Sequence, residues 1–209
     1  MTTLPSSHRL HPARLIPLAA LPALLACSPL ARAADGTITI NGEITEQTCK
    51  INGSEPPAHI LVSLPKISTS ALKAKGDIAG STAFLIKLTE CPESLSGEVK
   101  AYFEPGPTTD YDTGNLYAYK NTAASAKEMA SAIPENQASQ TRTSNVEIQL
   151  ANTDGTAITI GAPDSKAQGA TLASQAATLR YLARYIKSGD GSVGAGKLVT
   201  YVNYSIVYP

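Results

Sequence analysis

Few side chains in this sequence are candidates for catalytic bases or metal ligands. The chain has 209 residues and three histidines, two of which lie in an N-terminal segment with the features of a secretory signal. His59 is therefore the one base left for a Ser-His-Asp triad, and it follows two prolines at the start of an alternating segment, where a surface position is expected. A His-rich metal site is excluded, and the sequence predicts no catalytic residue.

Other residues that are typical of ligand sites lack the required context. Asp110, Asp112 and Asp154 lie in loop-like stretches. Their carboxylates suit calcium, but the ligand spacing of an EF-hand is missing, and solvated turns are the favoured interpretation. Gly189 and Gly191 are not placed between a strand and a helix, as a phosphate-binding loop requires. We therefore expect no metal and no cofactor.

The first 33 residues have the features of a secretory signal. Arg9 and Arg14 precede an apolar run over residues 15–27, and A-R-A at 31–33 supplies small residues for cleavage. The apolar run is too short to span a bilayer. Removal of residues 1–33 takes away three of the 17 basic residues and none of the 17 acidic ones, which leaves a net charge of about −3. Such a chain does not favour nucleic-acid binding, which needs clustered basic charge.

Two cysteines remain once this segment is removed. An even pair in an exported protein predicts a disulfide between Cys49 and Cys91. Its loop of about 40 residues would stabilise the fold by about 3–4 kcal/mol by restricting the unfolded chain. Residues 24–27 (L-L-A-C) offer an alternative, because they look like a lipoprotein cleavage box that would leave a lipidated Cys27. The A-R-A triplet just downstream is the better-placed cleavage site.

Period-2 alternation of apolar residues predicts β-strands along most of the chain. The alternating runs are Ile60/Val62/Leu64, Phe84/Ile86/Leu88, Val99/Ala101/Phe103, Val146/Ile148/Leu150 and Leu179/Tyr181/Ala183/Tyr185. A hairpin is predicted at 152–155, while residues 106–144 and 161–177 are interpreted mainly as exposed loops, with a short helix as an alternative at 122–133. Short alternating strands of this kind predict an antiparallel β-sandwich.

The two ends of the exported chain carry the clearest alternation. Residues 196–209 are predicted to form one last strand, with one continuous face made by Gly196, Leu198, Thr200, Val202, Tyr204, Ile206 and Tyr208. Near the start, Gly36, Ile38, Ile40 and Gly42 share one face of a second strand-like segment. A strand at the end of a chain needs a partner to stay ordered. On pattern alone, each segment is about equally consistent with an ordinary strand of the sandwich.

In combination, these motifs resemble those of the major structural subunit (pilin) of a chaperone–usher fimbria, as in type 1 and P pili. They are most similar to the serotype-type fimbrial subunits. The motifs are G-T-I-T-I-N-G at 36–42, the two cysteines, G-D-I-A-G-S-T-A-F-L-I-K-L-T-E-C at 76–91, Y-L-A-R-Y at 181–185, and the glycine fourteenth from the end followed by a penultimate tyrosine. The resemblance covers essentially the whole exported chain.

The resemblance implies an all-β fold, an incomplete immunoglobulin-like β-sandwich that lacks its final strand and is completed in trans by donor-strand complementation. After a signal peptide over residues 1–33, residues 34–42 would be the N-terminal donor-strand extension and 43–209 the pilin domain. Ile38 and Ile40 would fill pockets of the next copy, with Gly36 and Gly42 on the same face. The implied acceptor-groove and chaperone-binding residues are Phe84, Tyr181, Gly196, Leu198, Val202, Tyr204, Ile206 and Tyr208.

The implied function is that of a non-enzymatic shaft subunit, exported through the periplasm to a fimbria on the bacterial surface. Its partners would be neighbouring copies of itself, a periplasmic pilus chaperone, the outer-membrane usher and a tip adhesin. The alternative is a tip adhesin or minor subunit with a receptor-binding role, although adhesins of this family carry an extra lectin domain and no donor extension. A monomeric lipoprotein built on Cys27 and a secreted hydrolase are the rivals from other classes.

Overall fold

The computed structural model describes residues 38–44, 48–120 and 141–209. By its internal contacts the chain divides into two units, Met1–Glu43 and Ile44–Pro209. In the first unit, the described residues 38–43 form no regular secondary structure, and the side chains of Ile38 and Ile40 are 89% and 87% exposed. No helix within the described residues is long and apolar enough to cross a membrane.

The second unit is an antiparallel β-sandwich, as the alternation predicts. One sheet contains six strands in the order β1-β2-β7-β5-β4-β8, and the other contains three in the order β6-β3-β9. The strands are β1 Lys50–Ile51, β2 Ile78–Thr89, β3 Glu98–Glu104, β4 Leu116–Lys120, β5 Arg142–Asn152, β6 Ala170–Thr171, β7 Ala177–Lys187, β8 Leu198–Val199 and β9 Asn203–Val207. A single 3₁₀ turn, Thr69–Ala71, precedes β2 in the described part of the chain.

The core lies between the two sheets and is built from the predicted alternating residues. Every second residue of β3 is buried, and the same holds along the core-facing side of β7. Tyr181 is at the centre, because its ring lies 5.9 Å from that of Phe84 and 5.2 Å from that of Phe103, centroid to centroid. These are the only two phenylalanines in the sequence. One tyrosine thus joins the aromatic side chains of both sheets.

The hydroxyl of Tyr181 also makes two hydrogen bonds inside the core. It donates to the carbonyl oxygen of Gln168 at 2.8 Å and accepts from the backbone N–H of Ala101 at 3.2 Å. Burial raises the pKa of this hydroxyl, so it remains a neutral donor over the ordinary pH range. The bond to Ala101 ties β7 to β3, and therefore one sheet to the other.

The predicted disulfide is present. Cys49 and Cys91 are joined by a bond of 2.07 Å, and both residues are buried. The bridge links the chain just before β1 to the chain just after β2, and these two strands are themselves neighbours in the six-stranded sheet. The disulfide therefore closes the end of the sandwich at which β2 finishes.

Three expectations about individual strands were wrong. Residues 196–209 do not form one strand, since β8 pairs with β4 in the six-stranded sheet and β9 pairs with β3 in the other sheet. Ile60, Val62 and Leu64 alternate in burial as predicted, but within the described chain they belong to no β-ladder. The expected loop over 106–144 contains β4 and the start of β5. The alternative helix at 122–133 lies outside the described residues.

The physical reasons for these differences are local. A strand needs a partner with free N–H and C=O groups, and the alternation of side chains reports burial but not pairing. β4 was missed because its run is short, although Leu116, Ala118 and Tyr119 are all buried. The last strand divides because residues 200–202 carry the chain from one sheet to the other.

Replacement of Tyr181 by Phe should lower the free energy of unfolding by about 1–3 kcal/mol. The ring and its packing remain, while the buried N–H of Ala101 loses its acceptor. Unfolding in urea, followed by far-ultraviolet circular dichroism, measures the change. Tyr111→Phe is the matched control, because Tyr111 is 75% exposed and its variant should stay within about 0.5 kcal/mol of the parent. Equal stability of the two variants would contradict this role of Tyr181.

Candidate functional site

The edge of the three-stranded sheet is the first component of the site. Among the described residues, β9 pairs with β3 alone, with Ile206 opposite Ala101 and Tyr204 opposite Phe103. Tyr204 and Ile206 are half-buried against the core, whereas the alternate residues Asn203, Ser205 and Val207 are exposed. The inner face of β9 is therefore covered only in part, and its outer backbone edge has no ladder partner in the described chain.

The second component is the stretch over residues 58–64, which has the side-chain pattern of a strand but no strand partner. Ala58, Ile60, Val62 and Leu64 are half-buried and pack against the core, while the residues between them are exposed. Leu61 on the outer side is 51% exposed. The described part of the chain provides no β-ladder for this stretch. It is an extended segment with one apolar face that belongs to neither sheet among the described residues.

The two components are linked by a side-chain hydrogen bond and not by a backbone ladder. The hydroxyl of Tyr204 donates to the carbonyl oxygen of Ala58 at 2.7 Å. Near the far end of the stretch, the Tyr185 hydroxyl donates to the carbonyl oxygen of Pro65 at 3.4 Å. Burial raises the pKa of both tyrosines, so both hydroxyls stay protonated as donors.

We call this region the apolar seam and define it by its half-buried residues. They are Ala58, Ile60, Val62, Leu64, Phe84, Tyr204, Ile206 and Tyr208. Two strand-like segments border it, and the outer edge of β9 has no ladder partner in the described chain, so it can pair with an additional extended chain. What the seam can do chemically is to bind such a chain through backbone hydrogen bonds and apolar contacts.

Tyr208 closes the seam at the disulfide end. Its hydroxyl accepts a hydrogen bond from the backbone N–H of Cys49 at 3.1 Å and lies 3.2 Å from the hydroxyl oxygen of Thr48. Gly97 has φ = 120°, and a Cβ there would come within 2.8 Å of the Pro209 ring. The end of the last strand is thus held against both the disulfide and the start of β3.

The residues named by the resemblance do not all lie in the seam. Phe84, Tyr204, Ile206 and Tyr208 do, and Val202 is half-buried where the chain crosses between the sheets. Tyr181 is fully buried beneath Phe84, so it supports the seam and is not exposed in it. Leu198 lies in β8, at the edge of the six-stranded sheet, and Gly196 is exposed with open space around it.

Some of the expected residues fall outside this region. Gly36 is not among the described residues, and Gly42 has nothing within 4 Å of an added Cβ. Sequence reasoning missed residues 58–64 as one wall of the site, because their alternation was interpreted as an ordinary strand. The run of apolar residues before Pro65 was a usable signal for burial, but no signal in the sequence reported the missing partner.

Several polar side chains buried in the sandwich bind one another, whereas the hydroxyl oxygens of Thr143 and Thr200 are buried without a hydrogen-bond partner among the described residues. Arg184 donates to the side-chain oxygen of Gln149 at 2.7 Å, and Gln149 in turn donates to Asn115 at 3.1 Å. Asn115 and Thr113 both donate to Glu147, each at 2.9 Å. Burial lowers the pKa of Arg184. This network cross-links the chain just before β4 to β5 and β7.

The described residues contain no group of three His, Cys, Asp or Glu side chains arranged to hold a metal ion. His59 is exposed on the outer side of residues 58–64, as its position after the two prolines predicts. Asp110 accepts a hydrogen bond from the backbone N–H of Asp112, and Asp154 accepts one from that of Thr156. These aspartates cap turns, which is the interpretation that the sequence favoured.

Comparison with known proteins gives the family. A model of the type-1 fimbrial protein family, A (FimA), matches residues 64–209. The serotype 2 fimbrial subunit of Bordetella pertussis is 45% identical over 196 residues, which cover 90% of this chain and 93% of that protein. The serotype 3 fimbrial subunit of the same organism is 47% identical over 197 residues, covering 89% and 94%.

Solved structures with the same fold come from pili. A subunit in the structure of a chaperone–usher pilus superposes with a TM-score of 0.52 at 20% identity, covering 87% of this chain and all of that one. The P pilus rod subunit PapA gives a TM-score of 0.52 at 19% identity, covering 77% and 99%. At these identities the superpositions establish the immunoglobulin-like pilin fold, while the family match and the serotype subunits establish the kinship. This chain therefore belongs to the type-1 fimbrial protein family and is a structural subunit of a fimbria.

Proposed function

We propose that the chain polymerises head to tail, with residues 34–42 of one copy inserted as a strand into the apolar seam of the next. The observation that carries this proposal is the stretch over residues 58–64, which has a buried face but no strand partner beside the free edge of β9. One additional strand here would pair with the open edge of β9 and cover the apolar face of residues 58–64. Chaperone–pilin donor-strand complementation is an established mode of such strand addition.

The chemistry of the donor segment suits the seam. Ile38 and Ile40 lie on one face of an extended segment, and both are exposed in a single copy. Burying an exposed isoleucine stabilises by about 1.5–3 kcal/mol, so two of them supply a substantial part of the binding free energy. Gly36 and Gly42 share this face and have no side chain to obstruct a close backbone approach.

The same arguments define the proposed domain limits. Residues 1–33 act as the signal peptide, 34–42 as the donor extension and 43–209 as the pilin domain. The division of the structure between Glu43 and Ile44 supports the second limit. A contact between a segment and a different surface of the next copy is heterologous and does not close, so it generates a filament.

Export explains why other partners are needed. A half-covered apolar seam between two free strand edges invites aggregation until it is filled. We expect a periplasmic chaperone to fill the seam by lending a strand, and the outer-membrane usher to exchange that strand for the donor segment of the next subunit. The shaft subunit then reaches the cell surface as part of a fimbria. No observation favours the alternative of a tip adhesin, since the chain spans nearly the full length of the serotype fimbrial subunits.

The double variant Ile38→Asp/Ile40→Asp should abolish fibres while leaving the chaperone complex intact. Two carboxylates on the buried face of the donor would lose their hydration on insertion without gaining a partner. Electron microscopy and the yield of SDS-resistant multimers measure assembly. Thr39→Asp is the matched control, because Thr39 lies on the opposite face of the segment and its variant should still assemble. Normal fibres from the double variant would rule out the donor role.

Replacement of Tyr208 by Ser should reduce the amount of chaperone-bound subunit in the periplasm several-fold. The change removes both the apolar ring from the seam and the hydroxyl that holds the Cys49 backbone. Tyr208→Phe keeps the ring and should retain most of the complex. Co-purification with a tagged chaperone measures the amount. Equal recovery of the Ser variant and the parent would argue against capture at this end of the seam.

A further inference from the structure

The charged side chains of the sandwich are divided between its two ends. At one end of the sandwich, β2 and β5 begin and β4 and β7 finish. Three pairs of cross-strand partners place these strand ends together: Ile78 with Ile186, Val146 with Lys187, and Tyr119 with Arg142. The chain at this end, over residues 65–77, 118–120, 141–145 and 186–198, carries seven basic side chains and two acidic ones. The basic residues are Lys66, Lys73, Lys75, Lys120, Arg142, Lys187 and Lys197. We call this the basic end.

The two acidic residues at this end are Asp77 and the exposed Asp190. Both carboxylate contacts of Asp77 are to backbone, since its Oδ2 accepts from the N–H groups of Lys73 and Ala74 at 2.7 Å each. Lys187 is buried, and its ammonium donates to the carbonyl oxygens of Gly189 at 2.6 Å and Gly191 at 2.5 Å. Lys73 and Lys75 are exposed on the loop before β2. The outward positive charge at this end therefore comes chiefly from exposed residues such as Lys66, Lys73 and Lys75.

The opposite end, which holds the disulfide, has the reverse balance. Glu55, Glu90, Glu93 and Glu98 are all exposed there, against Lys50, Lys87 and Lys100. Glu90 pairs with Lys50 at 2.5 Å, and this hydrogen bond is the main cause that raises the pKa of Lys50. Three glutamates remain around the start of β1, the chain after Cys91 and the start of β3. We call this the acidic end.

The seam opens toward the basic end. One of its walls, residues 58–64, ends at Pro65, and Lys66 comes next in the chain. The carbonyl oxygen of Pro65 accepts a hydrogen bond from Tyr185, which lies two residues before Lys187 in β7. The other wall, β9, is reached from β8, whose Leu198 pairs with Lys120. A donor strand antiparallel to β9 would leave the seam here, and every ladder in the sandwich is antiparallel.

The connection from donor segment to donor domain is short. Residues 43–48 separate the donor strand from Cys49, and six residues reach at most about 20 Å. Cys49 lies at the acidic end, where its N–H is bound by Tyr208. Suppose that the donor strand of one copy leaves the seam of its neighbour at the neighbour's basic end. The short connection then places the acidic end of the donor copy close to the basic end of the neighbour.

We infer that the acidic end of each copy docks on the basic end of the copy that receives its donor strand. This inference rests on the proposed strand insertion and adds a second, electrostatic contact between the same two copies. Each exposed pair contributes little to stability. Several positive residues facing several negative ones nevertheless raise the rate of association and fix the orientation in which two copies meet. They also disfavour a donor strand inserted in the parallel direction, because that would bring two acidic ends together.

The test uses full-length exported chains with reversed charges. Lys73→Glu/Lys75→Glu reverses part of the basic end without touching the backbone bonds to Asp77, and Glu55→Lys/Glu93→Lys reverses part of the acidic end. The combined variant carries all four changes. Arg180→Glu is the control, because its side chain is exposed within the β7 ladder, opposite Leu85, rather than at an end. The rate of SDS-resistant multimer formation is measured in about 50 mM and about 500 mM salt, where screening differs strongly.

Each single-end variant should assemble about tenfold more slowly than the parent at low salt, and the combined variant should recover most of the rate. The control should match the parent, and high salt should remove the differences. A combined variant as slow as the single-end variants, or single-end variants with the parental rate, would overturn the inference.

An uncharged peptide of residues 36–42 separates the two proposals. Its binding to the full chain reports the seam alone, and all variants should bind it equally. Equal binding together with unchanged assembly rates would refute end-to-end docking while leaving strand insertion intact. No binding to the parent chain would instead refute strand insertion, and the docking inference with it.

Discussion

The missing β-ladders along the apolar seam, among the described residues, are the constraint on which the other features of this fimbrial subunit depend. β9 has a ladder on one side only, and residues 58–64 have a strand's apolar face without a ladder in the described chain. The apolar residues of the seam are only half-buried in a single copy, and a free strand edge invites pairing with another chain. A fold of this kind is stable as part of a larger assembly, and the pilin family supplies one.

The rest of the sandwich keeps the seam in shape while it is unfilled. Tyr181 packs under Phe84 and binds the backbone of β3 through its hydroxyl, so the floor of the seam is anchored to both sheets. The disulfide and Tyr208 fix the closed end, and Tyr204 bridges the two walls. Each of these contacts uses a side chain, and within residues 58–64 the Tyr204 hydroxyl binds only the carbonyl oxygen of Ala58 at the start of the stretch.

The sequence was informative about burial and less informative about pairing. Alternation at Phe84, Val99 and Leu179 correctly predicted core strands, and the cysteine pair predicted the disulfide. Alternation at Ile60 predicted a buried face but could not report that this segment has no partner, since the pattern depends on side chains and the pairing on backbone groups. The crossing of residues 200–202 between sheets was likewise invisible, because both halves of the last segment keep the same period.

Hydrogen exchange at the seam tests the central claim most directly. Amide exchange of residues 58–64 and of β9 would be measured in the single subunit and in assembled multimers of the same chain. We predict weak protection of the seam-facing amides in the single subunit and strong protection on assembly, while β7 is protected in both states. Strong protection of residues 58–64 in the single subunit, or no gain on assembly, would contradict the account, because the sandwich would then be complete without a strand from another copy.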